Sequence, residues 1–390
     1  MTTTTDNGLF SATVARIDTA TVTLQEAFGG QRKVSTGVRR GDPRWEANLL
    51  EAERFIQEIR YGRRPLYHFT EAMSTSDFPK LFADSLDRQL YGAYEAITPS
   101  WMNYARRATV NDFREVKRFA TSGVRGLLKK VGELEEHERR AQTEAEYKYS
   151  AGKYEAGFAL SWEAMVNDDL DAFVRLPQDL ADSVRDTEEE FVTRLFVGAS
   201  GPLGSVYSGG NDNIPSAVGD EPLTRDNLQK GITKLMKRKD DNGNPIAVRA
   251  VELVVGPGLA LEAEEIVNTT QYRVVEANGN VRILTGNGVG AGLRVNVNYW
   301  IPAVATTANA DTSWFLFANP SGPRPAMEFG RLRGFEAPAL YEKIPDMRRI
   351  GGGEEPVSFD TEAQEKKVKH VFGGVFVDPK MTYGSDGSGT

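Results

Sequence analysis

The chain has 390 residues, of which 40% are apolar and 26% charged, and its formal net charge is −8. This composition excludes a disordered chain, and the negative charge disfavours a protein whose affinity for nucleic acid comes from neutralising phosphates. The sequence has no cysteine, which excludes disulfides, thiolate metal sites and cysteine nucleophiles. The length allows two domains or one elaborated domain.

The N-terminal part predicts an arm followed by two helices. Residues 1–41 show no long apolar period, so we expect an extended arm. Asp42-Pro43 then has the pattern of a helix N-cap followed by proline at the first helical position. Apolar residues follow at helical spacing, namely Trp45, Leu49, Ala52, Ile56 and Ile59. A second helix is predicted over 78–91, and one of its faces carries Phe82, Leu86 and Leu90.

The stretch 110–156 is too polar at its centre to pack a core of its own, because few aliphatic residues lie between Val131 and Tyr147. Its two ends carry aromatic and aliphatic residues. Two interpretations remain open from composition alone. The stretch is either a solvated helix or loop, or a projecting arm or hairpin whose partner lies on another subunit.

Residues 176–197 give the clearest helical pattern in the chain. Apolar residues recur every three or four positions, while the charged residues fall elsewhere. Pro177 is placed in the first turn, and Gly198 follows the end. At 1.5 Å per residue the predicted helix is about 30 Å long. The stripe that we expect to face the core is Leu176, Leu180, Val184, Thr187, Phe191 and Leu195.

Beyond the Gly/Ser/Pro-rich loop 198–222 the pattern is mixed. Helices are predicted at TRDNLQKGITKLMK, with Thr224 as the cap, and at LALEAEEIVN. Strands are predicted at 251–255, at NVRILTG, at 312–318 and at the final KKVKHVFGGVFVD. The segment LRVNVNYW alternates, so Leu293, Val295, Val297 and Tyr299 are expected to be buried and Arg294, Asn296 and Asn298 exposed. The fold class predicted is α+β.

One acidic cluster, Asp168, Asp169 and Asp171, is a candidate site because it interrupts the apolar run ALSWEAMVN. A magnesium site would need further oxygen ligands, and a glycosidase pair would need two carboxylates held apart across a sugar. Adjacent residues on a helix diverge by about 100° and cannot both point inward. Because Asn and Asp are preferred helix caps, we interpret the cluster as a cap.

No other constellation predicts catalysis or cofactor binding. GNGVGAG (286–292) lies between two strand-like segments and not between a strand and a helix, so a turn is expected. GPGL (256–259) lacks the Lys-Ser/Thr of a phosphate loop. His68, His137 and His370 accompany no nucleophile motif, and three histidines make a multi-histidine metal site unexpected. We therefore predict no catalytic, cofactor-binding or metal residue.

Four stretches, in this order, resemble the major capsid proteins of tailed bacteriophages with the Hong Kong 97-type fold, and most closely the Mu-like head subunits. SDFPKLFADSLDRQLYGAYEAI (76–97) resembles their lead-in helix, and VNDFREVKRF (110–119) the entry to their extended loop. EYKYSAGKYEAGFALSWEAMVNDDLDAF (146–173) resembles the return strand of that loop. KKVKHVFGGVFVDPKMTYGSDG (366–387) resembles their closing strand. Glu155-Ala156-Gly157 departs from the Tyr-Gly that is usual in the family.

The resemblance implies a division of the chain into six segments. These are an N-terminal arm (1–75), a lead-in helix of the peripheral region (76–109), an extended loop (110–156), a peripheral domain with a long spine helix (157–222), an axial domain (223–335), and a return to the peripheral domain with the C-terminal tail (336–390). On this map Asn167-Asp168-Asp169 is a helix junction ahead of the spine helix.

The resemblance also implies a function. The chain would be a head-shell protein, not an enzyme, which assembles with itself as hexamers and pentamers into an icosahedral shell around double-stranded DNA. Portal and scaffolding or decoration proteins would be its partners, with no cofactor and no membrane. It would be made in the bacterial cytoplasm and found in the virion. The alternatives are an encapsulin-type nanocompartment shell and a metal-dependent hydrolase that uses Asp168 and Asp169.

Overall fold

The structure is a computed structural model. It describes residues 78–122, 143–161, 170–216, 221–240, 243–275, 281–286, 288–344 and 358–388, together with Arg54, Glu58, Arg63, Lys130, Glu133 and Ile350. The predicted arm therefore lies outside the described residues, as does the first predicted helix apart from Arg54 and Glu58.

The chain divides into two compact units. The smaller comprises Met1–Ser85, Ser161–Leu170 and Ile344–Gln364; its best-described segment is a turn in which Ser358 and Thr361 share a hydroxyl contact of 2.9 Å. The larger unit comprises Leu86–Leu160, Asp171–Lys343 and Glu365–Thr390.

The described part of the chain contains both helices and strands, with runs of one to five strands between or after the helices. This confirms the predicted α+β class. The helices are α1 (Phe78–Ala96), α2 (Leu170–Arg194), α3 (Arg225–Met236), α4 (Ala260–Asn268) and α5 (Ile301–Val304). The strands are β1 (Arg106–Val110), β2 (Val116–Ser122), β3 (Thr143–Tyr149), β4 (Gly152–Ser161), β5 (Val197–Gly198), β6 (Gly201–Pro202), β7 (Ala250–Val255), β8 (Gln271–Val275), β9 (Val281–Thr285), β10 (Arg294–Val297), β11 (Trp314–Ala318), β12 (Met327–Leu332), β13 (Ala339–Glu342), β14 (Ala363–Phe376) and β15 (Thr382–Ser385).

Two sheets organise the described part of the larger unit. The first has the order β1-β12-β14-β13, with β4 also paired to β14. In it β1 is parallel to β12, whereas β12 and β13 are both antiparallel to β14. The second has the order β10-β7-β11-β15, and β10 and β7 are its parallel pair. One aromatic core joins the two sheets, and Phe196 lies edge-on to both Phe315 and Phe317 of β11.

Helix α2 packs on the first sheet along a stripe that differs from the predicted one. The buried stripe includes Ala181, Val184, Glu188 and Val192, and Phe191 and Leu195 flank it while still touching the core. The helix begins at Leu170, so Pro177 lies inside it and not in its first turn as predicted. Proline there removes one backbone hydrogen bond, and the tertiary packing of a 25-residue helix offsets that loss.

Glu188 joins α2 to four other parts of the larger unit. Its Oε1 accepts a hydrogen bond from the hydroxyl of Tyr94 at 2.6 Å and lies 2.7 Å from Nε2 of His370. Its Oε2 accepts from Nε1 of Trp101 at 3.1 Å. Nη2 of Arg331 lies 3.2 Å from both oxygens. The carboxylate is fully buried, with 0% exposure.

This environment favours the ionised form of Glu188. Burial acts to raise the pKa of the carboxyl group, but the hydrogen bond from His370, the charge of Arg331 and the hydroxyl of Tyr94 outweigh it and hold the pKa below its usual value. The stabilisation is therefore fully present above the ordinary glutamate pKa of about 4.3 and is lost as the pH falls through the lower pKa of the folded protein.

The second sheet confirms one strand prediction and corrects another. All five residues of β11 are buried, as expected for a strand covered on both faces. Leu293 is buried and Arg294 exposed, as predicted, but the predicted alternation fails after them, because Asn296 and Asn298 are buried and Tyr299 is 74% exposed. Asn298 donates to Thr193 Oγ1 at 2.8 Å, and Asn296 donates to the carbonyl of Ser100 at 3.1 Å. A side-chain amide that makes such bonds can be buried.

The first sheet has glycines on the face away from α2, where the turn between β3 and β4 (Ser150 and Ala151) crosses it. A Cβ at Gly373 would overlap the carbonyl oxygen of Ser150, and one at Gly330 would lie 2.6 Å from the hydroxyl oxygen of Tyr149. These two glycines therefore let the turn approach the backbone of the sheet.

We expect Glu188→Gln to lower the free energy of unfolding of the unassembled subunit at neutral pH by about 3–5 kcal/mol, because it leaves the guanidinium of Arg331, which is only 16% exposed, without its counter-ion. The control is Glu190→Gln, which changes an exposed pair with Arg194 and should cost under about 1 kcal/mol. Urea unfolding measures both. Equal losses in the two variants would contradict the role given to Glu188.

The same pair predicts a pH dependence. Because the folded-state pKa of Glu188 is lowered, the difference in unfolding free energy between the wild type and Glu188→Gln should shrink as the pH falls below about 4. Urea unfolding at neutral pH and at about pH 3 measures this difference. A gap of constant size would show that ionisation of Glu188 does not contribute.

For Gly373→Ala we expect a loss of about 1–3 kcal/mol, since the added methyl group forces the turn at Ser150 away from the sheet. The matched control is Gly92→Ala in α1, where an added Cβ meets no atom within 4 Å; it should stabilise by up to about 1 kcal/mol. Thermal melting compares them. A neutral Gly373→Ala variant would mean that the turn does not need this close approach.

Candidate assembly site

The acidic cluster singled out in the sequence is not brought into a site by the described residues. Asp168 and Asp169 lie outside them, and α2 begins at Leu170, the next residue. Capping by these aspartates therefore stays a prediction. Asp171 lies in the first turn of α2. Among the residues that the structure describes, no three His, Asp or Glu side chains are grouped to hold a metal ion.

Of the three histidines, the structure describes His370, which lies in β14. His68 and His137 lie outside the described residues. His370 is 2% exposed and contacts Glu188. A buried glutamate with a shifted pKa beside a histidine is a combination that also occurs in active sites. Here both side chains are sealed from solvent, so a substrate has no access to them. We assign the pair to packing.

The glycine-rich candidates are turns, as predicted. Residues 288–292 form a turn between β9 and β10, and Pro257–Leu259 form one 3₁₀ turn ahead of α4. A shallow cleft of about 460 Å³ lies between β4, β13 and β14. Lys366 lines it, and burial lowers the pKa of this lysine while the charge of Glu342 opposes the shift. Its side chain is only 1% exposed, so the amine is not presented to the cleft as a reactive group.

The ribbon β2–β3 forms a two-stranded sheet of its own, apart from the two larger sheets. Its seven pairs run from Val116 opposite Tyr149 to Ser122 opposite Thr143. The two ends of 110–156 pair as antiparallel strands, and a partner on another subunit stays a prediction. The tip, 123–142, lies outside the described residues apart from Lys130 and Glu133. Seven residues at 3.3 Å each give a ribbon about 23 Å long.

The two faces of the ribbon differ in their residues. Lys117 and Lys148 lie directly opposite each other on the outer face, and Glu146 bridges them at 2.8 Å and 3.4 Å. All three side chains are accessible to water. The inner face carries Val116 and Tyr149, which pack on the first sheet. The outer face thus stays available for contacts outside the subunit.

Glu328 of β12 fixes the base of the ribbon to the sheet. Its Oε1 accepts one hydrogen bond from Nε of Arg118 in β2 and another from the hydroxyl of Tyr149 in β3, both at 2.7 Å. Burial, with Glu328 next, raises the pKa of Tyr149, so the hydroxyl stays a donor. One carboxylate oxygen therefore holds one residue from each strand.

Sequence analysis did not single out Glu188, Glu328 or Arg118. Charged residues are common on exposed helix and strand faces, and periodicity alone does not separate a buried charge from a solvated one. Glu328 carries one available signal, because it stands between Met327 and Phe329 in a strand that is apolar on both sides of it.

Comparisons with known proteins supply the family. The family model described as phage capsid protein matches residues 144–384. No curated protein sequence matches the chain. Among solved structures, a phage-related protein from Bordetella bronchiseptica RB50 is similar at 10% identity, with a TM-score of 0.48, over 78% of this chain and 97% of that one.

Two further structures are similar. The capsid of the cyanophage P-SCSP1u matches at 11% identity with a TM-score of 0.45, and the SrpI encapsulin of Synechococcus elongatus PCC 7942 matches at 9% identity with the same TM-score. Each match covers 75% of this chain and 89% of the chain in the solved structure. The family model itself spans well over half of the chain, from β3 to β15. The chain therefore belongs to the phage capsid protein family, and it is a shell subunit.

Proposed function

We propose that the chain is the major head-shell protein of a tailed bacteriophage or prophage. In this proposal it assembles as hexamers and pentamers into an icosahedral shell that encloses double-stranded DNA, and its contribution is structural and not catalytic. The observation that carries the proposal is the ribbon β2–β3, which is anchored at its base by Arg118 and Tyr149 and whose outer face carries the water-accessible Lys117, Glu146 and Lys148. In this proposal the outer face of the ribbon contacts a neighbouring subunit.

The proposal assigns the segments of the chain as the resemblance implies. Ribbon β2–β3 belongs to the extended loop (110–156), and α2 is the spine helix of the peripheral domain. The second sheet belongs mainly to the axial domain (223–335). Portal, scaffolding and decoration proteins are its expected partners, and the virion its location. In the described part of the chain, no helix is both long and apolar enough to cross a bilayer.

The charge of the chain supports enclosure of DNA without tight binding. A net charge of −8 gives little affinity for phosphates, and a wall that binds DNA weakly does not hold it against movement into or out of the shell. The contents of purified particles separate the alternatives, since nuclease-protected DNA supports a phage head and a packaged enzyme indicates an encapsulin-type compartment.

A shortened ribbon tests the assembly role. Because Ser122 lies opposite Thr143, residues 123–142 can be replaced by Asn-Gly, which forms a two-residue hairpin turn. We expect circular dichroism and melting close to those of the wild type, since the change lies beyond the anchored base. Sedimentation and electron microscopy should show that closed shells no longer form.

The control keeps the length of the ribbon and changes two exposed charges, Lys130→Ser with Glu133→Ser. It should close into shells, because exposed charge pairs contribute under about 1 kcal/mol each. Complete particles from the shortened chain would overturn the role of the ribbon. Failure of the wild-type chain to form shells would overturn the proposed function itself.

A further inference from the structure

We infer that Glu328 and Arg118 form a latch that sets the direction of the ribbon β2–β3, and that the latch opens at Arg118 while the β3 end stays in place as a pivot. The consequence for shell geometry rests on the proposed function. The latch itself is a property of the subunit and can be tested without assembly.

The β3 end of the ribbon is fixed by burial. Tyr149 and Ala151 are both buried and belong to a cluster with Val110, Leu332 and Val371 of the first sheet. The carbonyl of Ser150 lies directly over Gly373, where the backbone of the sheet offers no side chain to push it away. Three consecutive residues are therefore packed on the sheet, and moving them would expose apolar surface.

The β2 end is held in a different way. The loop before it, 111–115, is exposed, and Val116 is only partly buried. Arg118 attaches β2 to the sheet through its ion pair with Glu328. The side chain of Arg118 is 38% exposed. An ion pair open to water on one side is weakened by salt, whereas the buried bond from Tyr149 to the same oxygen is not. The two halves of the anchor thus differ in strength.

A small rotation about the pivot produces a large displacement at the far end. The ladder between β2 and β3 keeps the two strands together, so the ribbon moves as one body. With a length of about 23 Å, a rotation of roughly 10° moves its described end by about 4 Å. A displacement of that size changes which surface of a neighbour the outer face meets. If the proposed shell contains both hexamers and pentamers, the latch would in this way let one sequence adopt a different ribbon direction in each.

Distance measurements between spin labels test the latch in the full chain. Since the sequence has no cysteine, Ser122→Cys at the end of β2 and Ser183→Cys on the exposed face of α2 provide the only labelling sites. Double electron–electron resonance should give a narrow distribution for latched subunits. Arg118→Gln should shift or broaden it by several ångströms, and Arg118→Lys should restore most of the original distribution.

Two matched variants test whether the ribbon is released at Arg118 and not at a neighbouring contact. Lys117→Gln alters the neighbouring residue on the outer face, where it pairs with Glu146, and should leave the distances unchanged. Tyr149→Phe removes the hydroxyl but keeps the buried ring, and it should also leave them unchanged. In the otherwise wild-type labelled chain about 1 M salt, with a screening length near 3 Å, should reproduce the effect of Arg118→Gln. This last measurement needs no variant at the latch.

The results separate the latch from the proposed function. Unchanged distances in Arg118→Gln and in high salt would overturn the latch, as would a shift caused by Tyr149→Phe instead. If the distances shift as expected but Arg118→Gln still forms shells of wild-type size distribution, the latch does not control shell geometry and that part of the inference is wrong. A wild-type chain that forms no shells at all would instead overturn the proposed function.

Discussion

The ionised carboxylate of Glu188 is the constraint on which the larger unit depends. It lies where α1, the turn before β1, α2, β12 and β14 meet, and each of the other four supplies one donor or cation to it. A buried charge is tolerated only when its partners are all in place, so the helix has one register on the sheet that satisfies it. Apolar packing alone would permit neighbouring registers at a smaller penalty.

With the helix in that register, one face of the first sheet contacts α2 and the other contacts the ribbon. Along β12, Phe329 and Arg331 face α2, whereas Glu328 and Gly330 face the ribbon. Along β14, His370 and Phe372 face the helix and Gly373 faces the turn before β4. The period of two along each strand separates a face that packs on the helix from a face that carries the ribbon. The same two strands thereby hold both the spine of the subunit and its projecting ribbon.

Local patterns in the sequence were sufficient for most elements and for the family. The helix at 78–91, the Thr224 cap and the buried β11 all lie where the patterns place them, and the family match confirms the resemblance. Apart from the start of α2, which places Pro177 inside the helix, the errors concern polar residues. The stripe predicted for α2 omits Glu188, and the alternation in β10 places Asn296 and Asn298 outside. Hydropathy ranks a residue by its side chain alone, whereas these are buried because distant elements supply hydrogen-bond partners.

The same reasoning explains why the ribbon anchor could not be read from the sequence. Glu328 and Arg118 are 210 positions apart, and their pairing depends on β12 lying in the middle of the sheet with the ribbon folded over it. A shell subunit needs a body that does not deform and contacts that can adjust. In this chain the ion cluster at Glu188 serves the first need, since the carboxylate is fully buried and its partners come from four other elements. The half-exposed pair at Arg118 suits the second, because water and salt compete for it, and its release leaves the apolar core of the subunit covered.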